Sequence, residues 1–240
     1  LQLGLDRTAV PMEEDAPAGT APKERAKPRV RATPKPVVVA YRMAYIATLA
    51  FVDGDREVLR TLKYSATADD GPEEILRAMM LDLRHALRQD RTLRVLVVQD
   101  AAPEMWNRMR ESLAAEPSVT IYDELIDHYH AMEHLHAAAE AIDDDTNVIM
   151  ARWRAMLATR DDAIDEIHDE VVHELGQGYR PQRRIVLEEE DVYLTNNKDR
   201  LRYASLRRSG CPIGSGPTEG AAKSVIACRC KRSGQRWRPQ

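Results

Sequence analysis

Apolar and polar positions alternate at the start of this chain in the way that is typical of β-strands. Residues 1–5 alternate leucine with smaller or polar residues, the run 37–52 is apolar and partly β-branched, and a second strand-like run follows over 58–64. The triplet Asp53-Gly54-Asp55 between those two runs predicts a hairpin. Residues 13–36, which are rich in Pro, Lys, Arg and Ala, are expected to form a flexible loop. Because the chain opens in mid-strand without a Met, we expect a fragment of a longer protein.

Strand and helix patterns then follow one another through the middle of the chain. The predicted elements are a helix over 72–88, a strand over 93–98, a helix over 103–115, a strand over 119–122 and a helix over 124–142. The run 93–98 is almost wholly apolar, which favours a central strand that is buried on both faces.

The last third of the chain has mainly helical patterns. Residues 146–176 and 192–206 are predicted to be helical, and residues 181–191 are left undecided. The stretch 212–216 predicts a turn, and Pro217 is well placed as the first residue of a last helix.

This order of elements predicts an α/β fold with a mixed five-stranded sheet flanked by helices. The first strand and the strand that ends near Gln99 would be parallel neighbours at its centre. Residues 1–130 would form the first part of the core, residues 131–205 an α-helical insertion, and residues 206–240 the last helix with a basic tail.

Composition favours a folded, water-soluble chain. Apolar residues make up 43% and aromatic residues only 5%, so the core must be mainly aliphatic. The apolar runs are too short to span a bilayer, so no membrane partner is expected and a cytoplasmic protein is the default. The three cysteines, Cys211, Cys228 and Cys230, favour neither a disulfide framework nor a zinc site.

Charge is segregated along the chain although the net charge is only −4. Residues 198–240 carry eleven Lys or Arg against Asp199 and Glu219, and residues 22–42 carry seven against Glu24. Phosphate contacts depend on local charge, so this pattern permits a nucleic-acid partner. The alternative is that these basic segments are simply solvated.

Three carboxylates are candidates for phosphodiester chemistry. Two divalent metals can activate a nucleophile and stabilise the leaving oxygen, and Mg²⁺ prefers oxygen ligands. Asp6 lies in the first strand, Asp100 directly follows the apolar run 93–98, and Glu219 lies in the first turn of the last helix. Each has an alternative role, respectively as a strand-end polar residue, a helix N-cap, and a complement to the helix dipole.

Several blocks of the sequence resemble DDE-type insertion-sequence transposases, including relatives of the Mutator group. The block around Asp6 resembles the strand of the family's first Asp, and the block around Asp100 and Trp106 resembles the second Asp with its Trp-bearing helix. A third region, which continues to Glu219 and beyond, is the longest and most unusual. The matching blocks are residues 3–12, 97–106, 126–135, 197–203, 212–223 and 229–237.

The resemblance implies an RNase H-like DNA transposase core that cleaves and rejoins phosphodiester bonds with Mg²⁺ or Mn²⁺. Asp6, Asp100 and Glu219 would bind the metal, and Asp127 and His130 would form an Asp-x-x-His pair near the site. It also implies a prokaryotic protein that acts on transposon ends and target DNA, by analogy as a homodimer, and a preceding DNA-binding region. The residues expected to contact DNA phosphates are Lys223, Arg229, Lys231, Arg232 and Arg236.

Three alternatives stay open. Ala101 replaces the Gly that the family has after its second Asp, so the chain could be an inactive or repurposed DNA-binding remnant. The string His130-x-x-Glu133-His134 matches an inverted zinc-protease signature, with satisfied surface histidines as the simpler interpretation. Asp53 and Asp55 compete with Asp6, although Asp53 is better explained as a turn residue.

Overall fold

The computed structural model describes residues 1–15, 37–66, 70–177, 181–231 and 237. Its five strands form one sheet in the order β3-β2-β1-β4-β5. The first three strands are antiparallel neighbours, and β4 and β5 continue the sheet in parallel with β1. The predicted α/β class, with a mixed five-stranded sheet, is therefore confirmed. The strands are β1 (Gln2–Asp15), β2 (Val37–Val52), β3 (Val58–Ala66), β4 (Leu96–Gln99) and β5 (Asp123–Ile126).

Helices connect and cover the sheet and then dominate the rest of the chain. None of the helices in the described ranges is long and apolar enough to cross a membrane. The helices are α1 (Glu73–Gln89), α2 (Pro103–Ala114), α3 (His128–Ile142), α4 (Thr146–Thr159), α5 (Ala163–Leu175), α6 (Pro181–Asn197), a 3₁₀ turn (Lys198–Arg200), α7 (Tyr203–Arg208), α8 (Gly216–Ala221), a π-helical turn (Ala222–Ala227) and α9 (Cys228–Cys230).

The two faces of the sheet are buried in two apolar clusters because successive strand residues point to opposite sides. Leu3 and Leu5 of β1 are fully buried in the larger cluster, which includes residues of α1 and α2. Val10 and Ile46 belong to a smaller cluster that includes Ile226 near the end of the chain. Burial of each aliphatic side chain contributes about 1.5–3 kcal/mol to the free energy of folding, so the apolar contacts on both faces of the sheet stabilise the packing of the helices against it.

Helix α8 lies directly against the strand that carries Asp6. The hydroxyl groups of Thr218 and Thr48 are 2.7 Å apart and hydrogen-bonded in the interior. Gly4 leaves room for this contact: a Cβ at position 4 would clash with the Thr218 hydroxyl and lie 3.2 Å from Thr218 Cβ. The absence of a side chain at Gly4 therefore sets how closely α8 approaches β1.

Gly4→Ala is expected to lower the free energy of unfolding by about 1–3 kcal/mol, because the Thr48 bond keeps the Thr218 hydroxyl from moving aside. Gly220→Ala is the matched control, since a Cβ there meets nothing within 4 Å and alanine favours a helix. Urea unfolding of both variants measures the difference. Equal stability of Gly4→Ala and the unchanged chain would show that α8 can shift freely.

The stretch predicted as a helical insertion, residues 131–205, is almost entirely helical. Trp153 of α4 is fully buried, and its indole N–H donates to Glu170 of α5 at 2.9 Å. Leu187 and Leu194 of α6 are also buried in the core. These contacts explain how a segment with little β pattern folds. Its interpretation as an insertion stays a prediction.

Some predicted boundaries were wrong. Residues 119–122 are not a strand; β5 is Asp123–Ile126 instead, because those residues pair in parallel with β4. The following helix therefore begins at His128 rather than at Glu124. Hydrogen bonding to a neighbouring strand decided this short segment, and its local pattern does not report that partner.

Two other regions also differ from expectation. Strand β1 continues to Asp15, so residues 13–15 are paired with β2 rather than looped; the rest of the predicted loop lies outside the described residues. Residues 181–197 form one helix, which ends before the 3₁₀ turn instead of running from 192 to 206. By contrast the hairpin at Asp53 is confirmed: its Oδ1 accepts the N–H groups of Asp55 and Glu57 at 3.0 and 2.8 Å.

Candidate active site

Three carboxylates that are far apart in the sequence line one cavity of about 120 Å³. Asp6, Asp100 and Glu219 share it with Gln99 and Ser215, among others. The sheet brings the first two together because β1 and β4 are parallel, with Leu3 beside Val97, and Asp6 and Asp100 each lie three residues further along. Helix α8 brings the third across the same end of the strands.

Asp6 is the carboxylate whose ionisation the surroundings oppose most clearly. Burial raises its pKa above the ordinary value of 3.8, and the nearby charges of Asp100 and Glu219 raise it further. The N–H of Arg7, which donates to Asp6 Oδ1 at 2.6 Å, and the charge of Lys231 act in the opposite direction. The three carboxylates therefore repel one another, and a cation bound in the cavity would reduce that repulsion.

Asp6→Asn is expected to raise the free energy of unfolding at neutral pH. Because the folded-state pKa is raised, ionised Asp6 opposes folding, and this cost appears as the pH rises through that pKa. The gain from Asn should shrink as the pH falls toward the ordinary value of 3.8, where the carboxyl is protonated in both states. Urea unfolding of the two proteins over this pH range tests the sign. A destabilised variant at neutral pH would contradict it.

The side chain of Asp100 does not cap the helix that follows it. The N-cap of α2 is Ala102, and no side chain caps that helix, so the alternative role of Asp100 as N-cap is wrong. Trp106, which is fully buried, donates its indole N–H to the backbone carbonyl of Asp100 at 2.7 Å. The Asp100 carboxylate makes no hydrogen bond or ion pair with the described residues and is held by its backbone.

Glu219 extends from the first turn of α8 and keeps about half of its side chain exposed. Ser215 donates its hydroxyl to Glu219 Oε1 at 3.3 Å, and Lys223 Nζ lies 3.5 Å from Oε2. Both are long contacts at an exposed position, so they leave the carboxylate able to turn toward the cavity.

The donor set is suitable for a hard divalent cation. Carboxylate oxygens are the ligands that Mg²⁺ and Mn²⁺ prefer, and here three carboxylates line one small cavity. In the part of the chain that is described, no three His, Cys, Asp or Glu side chains are already drawn together at metal-binding separation.

Asp127 is not among the residues that line the cavity, but it supports one wall. It is buried and caps α3 by accepting the N–H of His130 at 2.9 Å. Its other oxygen accepts the backbone N–H of Ser215, the residue just before α8. Asp127 therefore ties the start of α3 to the start of the helix that carries Glu219.

His130 faces α6 rather than the carboxylates. Its ring lies edge-on to His134, with ring centres 4.9 Å apart, and is not part of the cavity lining. His134 stacks on Tyr193 at 3.6 Å, and its Nδ1 is 2.8 Å from Glu190. The Asp-x-x-His pair is thus divided between a capping role and a helix-packing position.

The basic residues of the last segment lie partly beside the site. Lys231 donates to the hydroxyl of Thr8, two residues beyond Asp6 on β1. Arg229 donates to the backbone carbonyls of Ser224 and Val225 at 2.8 and 3.0 Å. Lys223 is near Glu219, as described above, and the predicted contacts Arg232 and Arg236 lie outside the described residues.

Several residues of the site received no role from the sequence. Ser215 and Thr218 lie in the Gly/Pro-rich block before Glu219, where their pairing with Asp127 and Thr48 depends on distant strands. Gln99 is buried, lines the cavity, and its amide has no hydrogen-bond partner in the described residues. In the sequence, only its position next to Asp100 could have indicated that Gln99 lies at the site.

Comparisons of the chain with family models, with curated proteins and with solved structures gave no match.

Proposed function

We propose that the chain is the catalytic core of a DDE-type DNA transposase with an RNase H-like fold, which cleaves and joins phosphodiester bonds. The strand order β3-β2-β1-β4-β5 supports this fold, and the motif blocks noted in the sequence support the family. The single observation that carries the proposal is the convergence of Asp6, Asp100 and Glu219 on one cavity.

The chain's own contribution is to hold oxygen ligands in a partly buried setting. Asp6 and Asp100 come from adjacent parallel strands, so their backbones are fixed relative to each other. Glu219 approaches from α8, whose distance from β1 is set by Gly4 and Thr218. When bound there, Mg²⁺ or Mn²⁺ would supply Lewis-acid stabilisation of the attacking and leaving oxygens.

Basic side chains at the rim would position the DNA. Lys223 and Lys231 lie next to Glu219 and the Asp6 strand, respectively, where a phosphate backbone would approach the carboxylates. Such contacts fix register and orientation on DNA rather than read its sequence. A homodimer that holds two DNA ends belongs to the same proposal.

The test is nicking of plasmid DNA by the purified chain with Mg²⁺ or Mn²⁺, with a chelator as the control. Nicking that needs the metal is expected. Nicking that persists in the chelator, or none with either metal, would reject a metal-dependent transposase core. Metal-independent, salt-sensitive DNA binding without nicking would instead favour the repurposed remnant.

The zinc-peptidase alternative would place the active site on α3, with His130 and His134 as zinc ligands and Glu133 as the residue that activates water. Glu133, which would have to activate water, keeps 80% of its side chain exposed, and His134 is engaged by Glu190 and Tyr193. These contacts favour helix packing as the role of the two histidines. Zinc-dependent hydrolysis of peptides, lost in Glu133→Gln, would reverse this assignment.

A further inference from the structure

A groove of about 430 Å³ on the β5 side of the molecule contains an arginine that has no acidic partner among the described residues. Its lining includes Arg200, Arg110 and Arg202. Arg200 lies in the 3₁₀ turn that follows α6, within the block 197–203 that no role above explains. Among the described residues, no carboxylate comes within ion-pair distance of its guanidinium.

The acids of this groove are all paired with other arginines. Asp123 pairs with Arg94 at 3.0 Å, and Glu124 pairs with Arg110 through its Nε at 2.6 Å. Asp199 lies 3.6 Å from Arg202. Because Asp123 is paired with Arg94, which does not line the groove, Arg200 is the lining arginine that no described carboxylate pairs with.

Neighbouring groups hold the Arg200 side chain in place. Its guanidinium lies over the Trp106 ring, 4.7 Å from the ring centre, and donates to Asn196 O at 2.9 Å and Asn197 Oδ1 at 2.7 Å. Asn197 is itself buried and donates to Tyr193 O at 2.8 Å. A planar, stacked guanidinium that is fixed in advance is well suited to bidentate phosphate contacts.

The surroundings of Arg200 compensate its charge only in part. Burial lowers its pKa below the ordinary value of 12.5 and the nearby charge of Arg110 lowers it further, whereas Glu124, Tyr193 and Asp199 act in the opposite direction. An anion bound in the groove would favour the charged guanidinium. Arg110 and Arg200 of the groove both lie over the ring of Trp106, whose indole N–H donates to the backbone carbonyl of Asp100, so one side chain links the groove to the candidate active site.

We infer that Arg200 binds a backbone phosphate of DNA and anchors the strand on the Asp100 side of the active site. This assignment rests on the proposed function, because it takes DNA as the substrate. It places a contact in the 3₁₀ turn that follows α6, upstream of the basic residues that the sequence analysis expected to contact DNA. Arg110 and Arg202 would line the path of the strand on either side.

The test is DNA binding at a series of salt concentrations without metal, in a Glu219→Gln background that separates binding from cleavage. Arg200→Gln is expected to weaken binding about tenfold and to reduce the slope of log K against log salt by about one, the loss of one phosphate contact. Arg184→Gln is the matched control, since Arg184 is an exposed α6 residue paired with Glu188. It should bind within about twofold of the parent.

The variant Arg200→Lys distinguishes a contact between the Arg200 charge and DNA from a purely structural role of the Arg200 side chain. Because lysine keeps the positive charge, it should restore the salt slope, whereas a purely structural role of Arg200 would not be restored in that measurement. Thermal unfolding of each variant confirms that binding is measured on folded protein. If Arg200→Gln matches the parent, the inference fails and the proposed function stands. If the parent itself does not bind DNA, both fail.

Discussion

Replacing Glu219 with Gln, or Asp6 or Asp100 with Asn, is expected to reduce metal-dependent nicking on the order of a thousandfold or more. Each change keeps the size of the side chain and removes one negative charge from the cavity. Divalent-metal stabilisation of the reacting oxygens contributes several kcal/mol, and a loss of about 4 kcal/mol corresponds to this factor. Initial rates of plasmid nicking measure it.

Two controls match the chemistry of these changes. Glu133→Gln and Asp144→Asn remove charges that are largely exposed and outside the cavity, and both should nick DNA at about the unchanged rate. Full nicking by Glu219→Gln would remove that residue from the site, whatever the other two variants do. Equal losses in the controls would show that the loss does not report on the cavity.

Metal binding can be followed separately from cleavage. A cation at about one hundred times its dissociation constant stabilises the folded chain by about 2.7 kcal/mol, which raises the melting temperature on the order of 5–10 °C for a chain of this size. Asp100→Asn should abolish most of this shift. An unchanged shift in that variant would place the cation elsewhere, even if nicking were lost.

The five-stranded sheet and the meeting of Asp6 and Asp100 could be predicted from the sequence, because both depend on the order of the strands. A long strand with a clear apolar pattern, such as 37–52, can be recognised from the sequence. Three antiparallel strands followed by strand–helix units are then compatible with few sheet topologies. Asp6 lies within β1, and Asp100 directly follows the end of β4. The topology makes these two strands neighbours, and the register that places Leu3 beside Val97 then brings Asp6 level with Asp100.

The rest depended on contacts that no local pattern records. β5 has only four residues, and its pairing with β4 overrides the helical pattern that begins at Glu124. The hydroxyl pair Thr48–Thr218 and the position of Arg200 over Trp106 each depend on residues that are distant in the sequence. Asp127 could be recognised as important from its motif, but its second hydrogen bond, from the Ser215 N–H, depends on the position of α8.

Asp127→Ala is expected to lower the free energy of unfolding by about 3 kcal/mol. Loss of the N-cap of α3 costs about 1 kcal/mol, and loss of a hydrogen bond from the Ser215 N–H to a buried carboxylate costs about 1.5–3 kcal/mol. For a chain of this length the melting temperature should fall by about 6–12 °C. Thermal and urea unfolding measure the change.

Asp127→Asn distinguishes a positioning role from a catalytic one. Asparagine can still cap α3 through its oxygen, but its NH₂ group would face the Ser215 N–H as a second donor, so only part of the stability returns. Because α8 would then be held less firmly, nicking should fall about tenfold to a hundredfold, less than for Glu219→Gln. If Asp127→Asn kept full stability and lost nicking as completely as Glu219→Gln, Asp127 would belong with the ligands of the cavity, and the separation between three carboxylates that act and one that supports them would be wrong.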